Sequence, residues 1–551
     1  MKEEFVRNKI ARYKSLISER EPLLEEWQKI AEYFVPQKAN ILRTSSKPSE
    51  INARIFDTTG VDALLIAAGG LMSWTTPKSS PWFSFAPTGN LRKNTKVQKW
   101  LSECTALAQE YLANSNFYTV RHESIIDKLA FGTSCIYSQW DDKLDKVFFT
   151  NLEVGTYVIG ENYHGTVDTV MVMYKLNARQ SVQKFGYDNL PDGVKEDYNN
   201  NVNKVHEYLH IIEPRDERDV KVGGLAKGDK KPFASIYIHM ASQTVVKESG
   251  YDSMPMHCGR WLEWNGLYHG WGYGPGFAAL PEVRQLNYYQ KMLDIYMGKA
   301  TFPPMLVPDS FEGILDTQAK GINYYNAQVD ATQFAQLPVV GNLEAAFNRI
   351  EVRRNAVDSK FHTDLWQMIA KRDQQKTATE VQALLNEKIE ALSPAFDRDT
   401  DEIVQPMLIR LFNMWASKGK FPLPPEEAII SVEDNMAEIP NPSVEMTSKL
   451  ALAIKASRNY TADQQMMRIM NIASVDPSVF DNVNLDKYVR MTALNSGFPA
   501  EILNDEEETE HIRNQRAEAA AQQQQAMMMA EQMKAAPDNV KEKIAGNLGL
   551  V

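Results

Sequence analysis

The stretch that decides the fold is Gly274-Pro275-Gly276-Phe277-Ala278-Ala279-Leu280-Pro281-Glu282-Val283-Arg284-Gln285-Leu286-Asn287-Tyr288-Tyr289-Gln290-Lys291-Met292-Leu293-Asp294-Ile295-Tyr296, read together with its counterpart, residues 343 to 370. Val283, Leu286, Tyr289, Leu293 and Tyr296 recur at spacings of three and four, so one side of a helix is apolar. Pro281 is read as the first helical position, where a missing N–H costs nothing. The helix stops before Phe302-Pro303-Pro304. In the second run Leu343, Phe347, Ile350, Val357, Phe361, Leu365 and Met368 share a face, with Arg349, Glu351, Arg353, Lys360 and Asp364 on the other sides. At ~1.5 Å per residue each helix spans roughly 30 to 40 Å. Between them, residues 303 to 342 are punctuated by Pro308, Gly313, Gly321, Pro338 and Gly341, a short irregular insertion. Two long helices with a compact insertion between them are the element around which the rest is read.

After the second helix comes a polar stretch, Lys371-Arg372-Asp373-Gln374-Gln375-Lys376, and then a third helix starting near Thr377-Ala378-Thr379-Glu380, where Thr377 and Glu380 have capping-box spacing. Pro394 and Pro406 are expected to kink or interrupt it, and the helical signal ends at Lys418-Gly419-Lys420. At the N-terminus, Val6, Ile10, Tyr13, Ile17, Leu24, Trp27, Ala31 and Phe34 make one helical stripe, with Pro22 read as the start of a second helix. From Phe148 to Met240 the period changes to two. Residues 166 to 174, 204 to 212 and 233 to 240 read as strands, so the class is α+β, mainly α. The C-terminal third is helical, ending in a run of Arg, Ala, Gln and Met from Arg513 to Lys534 that favours one long helix with little apolar face.

Composition narrows the function. The 551 residues suggest several folding units, and 43% hydrophobic and 10% aromatic residues describe an ordered chain. A net charge of −11 excludes a static nucleic-acid-binding module, which needs clustered Lys and Arg, but permits a surface past which DNA slides. Cys104, Cys135 and Cys258 are odd in number and far apart, which predicts no disulfide framework and fits a reducing compartment. The first residues have no apolar core of the signal-peptide kind, and the longest apolar run, Leu64 to Trp74, is about half the ~20 residues a bilayer requires.

Two motifs suggest chemistry. His206-Glu207-Tyr208-Leu209-His210 matches the zinc-protease pattern, which needs both histidines on one helical face. Here Val205, Glu207, Leu209 and Ile211 alternate with His206, Tyr208, His210 and Ile212, the pattern of a strand, on which the histidines lie about 13 Å apart. A zinc metallopeptidase is therefore the alternative reading from another class. Gly223 to Lys230 has phosphate-loop glycine spacing, but Asp229 stands where the lysine belongs, so it reads as a hairpin turn. No cofactor and no catalytic residue is expected.

Five short motifs occur in order: Phe56-Asp57-Thr58-Thr59-Gly60 through Gly69-Gly70-Leu71-Met72-Ser73 to Trp82-Phe83-Ser84-Phe85; Phe131-Gly132-Thr133-Ser134-Cys135; Gly272-Tyr273-Gly274-Pro275 leading to Leu286-Asn287; Thr377-Ala378-Thr379-Glu380-Val381; and Asp486-Lys487-Tyr488-Val489-Arg490. Together they resemble the head-to-tail connectors, or portal proteins, of T7-like podoviruses. The resemblance implies a ring, usually of twelve subunits, at one capsid vertex of the virion, assembled in the host cytoplasm. It would be a conduit for double-stranded DNA in packaging and ejection. The implied partners are other copies of the chain, the duplex, the terminase large subunit, tail adaptor or tube proteins, and major capsid and scaffolding proteins, with no membrane. Another ring or tail component of a virion is the nearer alternative.

The same resemblance divides the chain: N-terminal helices and β-rich wing, 1 to 275; first stem helix, 276 to 302; clip, 303 to 342; second stem helix, 343 to 370; channel loop, 371 to 379; kinked wing helix and strand, 380 to 442; crown, 443 to 505; and C-terminal barrel helix and tail, 506 to 551. It implies a channel loop meeting DNA through Lys371, Arg372, Gln374, Gln375 and Lys376, where an ordinary solvated connection is the plain alternative. It implies a clip interface at Tyr324, Tyr325, Phe334 and Leu337, and stem packing through Leu286, Leu293, Phe347, Ile350, Phe361 and Leu365. The aromatic cluster Trp261, Trp264, Tyr268, Trp271 and Tyr273 is read as packing between wing and stem rather than a base-stacking platform, since a duplex offers no unstacked bases. Twelve helices ~9 Å apart close a ring of radius about 17 Å, and subtracting a ~5 Å helix half-width leaves a bore near 24 Å, enough for a duplex about 20 Å wide.

Overall fold

The computed structural model describes residues 2–42, 54–215, 231–264, 270–301, 305–306, 335–336, 343–368, 392–429, 431–433, 436–448, 465–474, 476–495 and 506–535. They form two compact units, Met1–Ile454 and Lys455–Val551. The class is α+β with helix predominating.

The larger unit opens with α1 (Lys2–Phe34), a single helix that runs straight through Pro22. The expected second start there is incorrect. A proline inside a helix costs about 3 kcal/mol, but both halves of α1 are anchored. Val6, Ile10 and Tyr13 are buried against one face of a sheet, and Trp27, Ile30, Ala31 and Phe34 lie in the main core. Next come α2 (Thr59–Thr75), β1 (Phe83–Ala86), α3 (Thr95–Ala113) and α4 (Phe117–Phe131), which ends on Gly132 at φ 80°.

Two antiparallel sheets follow. The first joins β2 (Thr133–Asp141), β3 (Lys146–Asn151) and β9 (Met256–Arg260) in the order β3-β2-β9. The second is a meander of β4 (Tyr157–Glu161), β5 (Val167–Asn177), β6 (Val205–Pro214), β7 (Phe233–His239) and β8 (Thr244–Tyr251). Two short helices, α5 (Ala178–Phe185) and α6 (Asp192–Asn200), interrupt the predicted β region. The sequence reading omitted both, although Asn177 and Gln180 form a reciprocal capping box.

The long helices then appear as α7 (Pro275–Thr301) and α8 (Leu343–Phe361). α7 starts at Pro275, six residues before Pro281, which lies inside it. The expected single second helix is broken: His362 takes φ 52°, and a separate α9 (Thr363–Met368) follows. Between α7 and α8, β10 (Met305–Leu306) pairs antiparallel with β11 (Ala335–Gln336), closing the insertion at its base.

The next described residues, 392–399, form α10, which includes Pro394. A π-helical turn, Thr400–Val404, leads into α11 (Gln405–Ser417). The expected interruption at Pro406 thus takes the form of a widened turn, which removes the clash between the proline ring and the preceding carbonyl. α11 stops at Gly419 (φ 65°), with Lys420 N–H donating to Trp415 O at 2.9 Å. Short strands β12 (Ser431–Glu433), β13 (Met436–Glu438) and β14 (Ser443–Met446) follow, and β14 pairs with β1.

The smaller unit contains α12 (residues 465–473), α13 (Leu485–Asn495) and α14 (Glu506–Ala535), the long helix expected from composition. Within it Arg513 makes two 2.7 Å hydrogen bonds to the Asp486 carboxylate. Among the described residues no helix is long and apolar enough to cross a membrane.

Candidate functional site: the root of the paired helices

α7 and α8 run antiparallel. Moving up α7 from Glu282 to Tyr289 corresponds to moving down α8 from Arg353, whose guanidinium is 2.5 Å from the Glu282 carboxylate, to Arg349, which donates to the Tyr289 hydroxyl at 3.4 Å. Leu286, Leu293 and Ile350 form the apolar seam, flanked by Tyr289 and Leu343. Of the other residues expected to pack this pair, Phe361 lies against Phe34, with ring centroids 5.5 Å apart, and Leu365 is buried. Phe347 is 54% exposed. Tyr288, Met292, Ile295 and Val352 are exposed on the same two helices.

What holds this pair at its base are the short motifs at the start of the chain. Asn287, buried within α7, turns its side-chain oxygen to the backbone N–H groups of Phe56 and Asp57, at 2.8 and 3.2 Å, and its amide donates to Val283 O. Asp57 accepts two hydrogen bonds from Arg354 on α8, at 2.7 and 3.1 Å, and one from the Thr59 N–H. Burial pushes the Asp57 carboxyl up, but the Thr59 and Arg354 contacts outweigh it and hold it below the ordinary carboxylate range. A Cβ on Gly60 would meet Val283 Cγ2 at 3.1 Å, so the glycine lets α2 close on α7. Gly70 plays the same part against the Trp366 indole of α9. The Phe56–Met72 stretch is thus a socket that grips both long helices.

The second and third motifs meet each other. Gly132 and Gly272 touch backbone to backbone, and a Cβ on either would collide with the other's carbonyl. A Cβ on Gly274 would fall 2.8 Å from Gly132 N, Leu129 O and Lys128 O, and Gly276 lies as tightly against Ala130. The Thr133 hydroxyl accepts the Gly272 N–H at 2.7 Å. Around this junction the aromatic cluster packs as expected. Trp271 is buried against Trp27 and Tyr157, and Trp264 and Tyr273 lie on Phe277. Tyr268 lies outside the described residues.

A charged cluster that the sequence reading missed fixes the end of α10. The Asp399 carboxylate, at the end of α10, is gripped by Arg121 and Lys128, both fully buried and seven residues apart on one face of α4. Burial alone would raise the Asp399 carboxyl, but the two cations prevail and hold it at about 2. Three residues on, Glu402 accepts from Arg260 through its backbone N–H (2.7 Å) and guanidinium (2.8 Å), while Arg260 also reaches Glu161 at 2.5 Å. Gly259 leaves room for Ile403 of the π turn. Only the i, i+7 spacing of Arg121 and Lys128 on one face of α4 could have hinted at this cluster.

The protease-like motif lies on β6. His210 is fully buried, stacked on Tyr237 with centroids 3.8 Å apart, and 3.0 Å from Ser235 Oγ. Burial, with Lys184 and Lys247 adding to it, drives its imidazole well below the ordinary histidine range, so it is neutral. His206 lies 3.3 Å from the Asp197 carboxylate. The two are four positions apart on a strand, and among the described residues no group of three or more His, Cys, Asp or Glu side chains could hold a metal. There is no sign of a metallopeptidase.

Tyr324, Tyr325, Phe334 and Leu337, together with Lys371, Arg372, Gln374, Gln375 and Lys376, lie outside the described residues, as do Gly223 to Lys230 and the capping-box residues Thr377 and Glu380.

Asn287, Asp57 and the motif glycines thus serve one structural end, rooting two long antiparallel helices in a mixed α+β fold. Residues 7–503 match the family described as bacteriophage head to tail connecting protein, and the chain belongs to that family. It is 27% identical over 510 residues to the portal protein of Salmonella phage epsilon15, an alignment covering 91% of this chain and 89% of that one. It is 28% identical over 524 residues to the probable portal protein of Bordetella phage BPP-1, covering 92% and 90% respectively.

Proposed function

We propose that this chain is a phage portal subunit: copies of it, twelve by the family's habit, form a ring at the capsid–tail junction through which double-stranded DNA passes. The observation that carries the reading is the rooted pair of antiparallel helices, α7 and α8, joined beyond their far ends, at the base of the insertion, by the β10–β11 ladder. Rooting at one end leaves the exposed apolar residues of the pair, Tyr288, Ile295, Phe347 and Val352, to be covered by the neighbouring copies. The pair is the stem. The insertion, 303 to 342, is the clip, and meets first the terminase motor and then the tail through Tyr324, Tyr325, Phe334 and Leu337. Residues 371 to 379 are the channel loop, with α10 and α11 as the kinked wing helix that follows it. The sheets belong to the wing, residues 443 to 505 to the crown, and residues 506 to 551 to a terminal barrel helix and tail.

The role asks for no catalysis and no cofactor. Energy for packaging comes from a separate motor, and the acidic chain offers DNA a surface along which it slides. Electron microscopy of purified particles tests the reading. Rings with a central hole near 24 Å are expected, and a chain that stays monomeric under all conditions overturns it.

A further inference from the structure

Cys135 and Cys258 face each other across the β2–β9 ladder, directly paired in register, with sulfur atoms 2.8 Å apart. The hydrogen bonds of the ladder show which kind of pair this is. Trp261 N–H donates to Gly132 O and Ser138 N–H to Pro255 O, both at 2.9 Å. These hydrogen-bonded positions alternate along the strands, so the Cys135–Cys258 pair falls at a narrow, non-hydrogen-bonded site. There Cα atoms lie ~4.5 Å apart, within the range of about 4.4 to 6.8 Å that a disulfide spans. Both side chains point into the main core, and both are free thiols.

We propose that Cys135 and Cys258 are an oxidisable staple: free thiols in the cell, closing to a cross-strand disulfide once the particle meets an oxidising medium. The co-reactant is a small-molecule disulfide such as oxidised glutathione. One thiol loses its proton and its sulfur attacks the oxidant, expelling one glutathione thiolate. The second cysteine, also deprotonated, displaces the other. Two protein thiols become one S–S bond, and the oxidant leaves as two thiols carrying both protons. Burial, followed by the neighbouring Cys258 sulfur, pushes the Cys135 thiol well up, which keeps the pair slow to react at cytoplasmic pH. The bond would fasten β2 to β9 three residues from Gly132 and the backbone contact that roots α7. Disulfides persist on virion surfaces and not in reducing cytoplasm. Only the timing of the staple rests on the portal reading; the linkage does not.

The test uses the full chain, incubated with oxidised glutathione at pH 7.5 and 9 and at a temperature just below melting. The intact mass should fall by about 2 Da, the two hydrogens lost, with one cross-linked peptide joining Cys135 to Cys258. The C104S variant should behave identically and C135S should form no link. The linked form should melt several degrees higher, an increment that dithiothreitol abolishes. Chains from particles, denatured directly in alkylating agent so that buried thiols are trapped as they unfold, should be linked, and those from freshly lysed cells free. Two separate glutathione adducts, or unlinked thiols under every condition, overturn the staple. Linkage without rings in electron micrographs overturns the portal reading and leaves the staple standing.

Discussion

Gly70 of α2 lies directly beneath the indole of Trp366 on α9, so close that a single methyl group on the glycine would enter the ring. The neighbouring Gly69 has no atom within 4 Å of where its Cβ would stand. The two glycines therefore differ in kind although they are adjacent in the same helix.

Gly70→Ala should destabilise the protein by about 1 to 3 kcal/mol, because overpacking outweighs the gain in helix propensity. Gly69→Ala should be neutral or stabilising by up to ~1 kcal/mol. Denaturant titration of the pair separates them, and equal effects would deny the close contact.

Asp399→Asn leaves Arg121 and Lys128 buried without their counter-charge, and a loss of roughly 3 to 5 kcal/mol is expected. The pH dependence follows from the carboxyl being held at about 2 against an ordinary 3.8. A depressed carboxyl contributes stability that is complete above the ordinary value and fades as pH falls toward the depressed one. The wild type should thus lose stability between about pH 5 and 2 more steeply than Asp399→Asn, as followed by midpoints of unfolding across that window.

His210→Ala should cost roughly 2 kcal/mol or more, since it opens a cavity under Tyr237 and orphans Ser235. His206→Ala should cost well under that. Because His210 is held neutral in the fold, acid below about pH 6.5 favours the unfolded chain, which takes up the proton, and the variant should show a weaker stability loss there. Metal analysis of the purified protein should find far less than one zinc per chain; a stoichiometric ion that both substitutions remove would revive the peptidase.

Deleting residues 372 to 376 should leave rings intact in electron micrographs while lowering the amount of DNA retained in heads, measured by nuclease protection. Undiminished packaging would assign the stretch to an ordinary connection.

Replacing Tyr324 and Phe334 with Ser should impair ring formation or docking of the motor, read by sedimentation and by co-purification with the terminase. Normal assembly with normal docking would take the clip role away from this insertion.

The long helices were legible because each carries an apolar stripe at period 3.6, and the sheet region because β5, β6 and β7 are rich in β-branched and aromatic residues, although consecutive residues in them are buried on both faces rather than alternating. Local proline rules misplaced the boundaries. Pro22 and Pro281 both sit inside helices, where the burial of Trp27 and Phe34 in one case, and of Phe277, Leu280 and Val283 in the other, outweighs the lost hydrogen bond. α5 and α6 are too short for their periodicity to stand out. The Asp399 cluster was invisible because its members are 271 and 278 residues from their partners. The motif glycines could be matched as a pattern, but their purpose lies in the backbone of Gly272 meeting that of Gly132, which no spacing reveals.

One helix ties these parts into a common fate. α1 places its first half on the meander sheet, where Lys9 and Arg12 also hold Glu213, and its second half beside Trp271 and Phe361 at the root of the long pair. A strut seated at both ends is not loosened from one alone, so melting of the meander and release of the root of α7 and α8 are expected to occur together. Mechanical load applied along the helix pair would accordingly be shared by the meander.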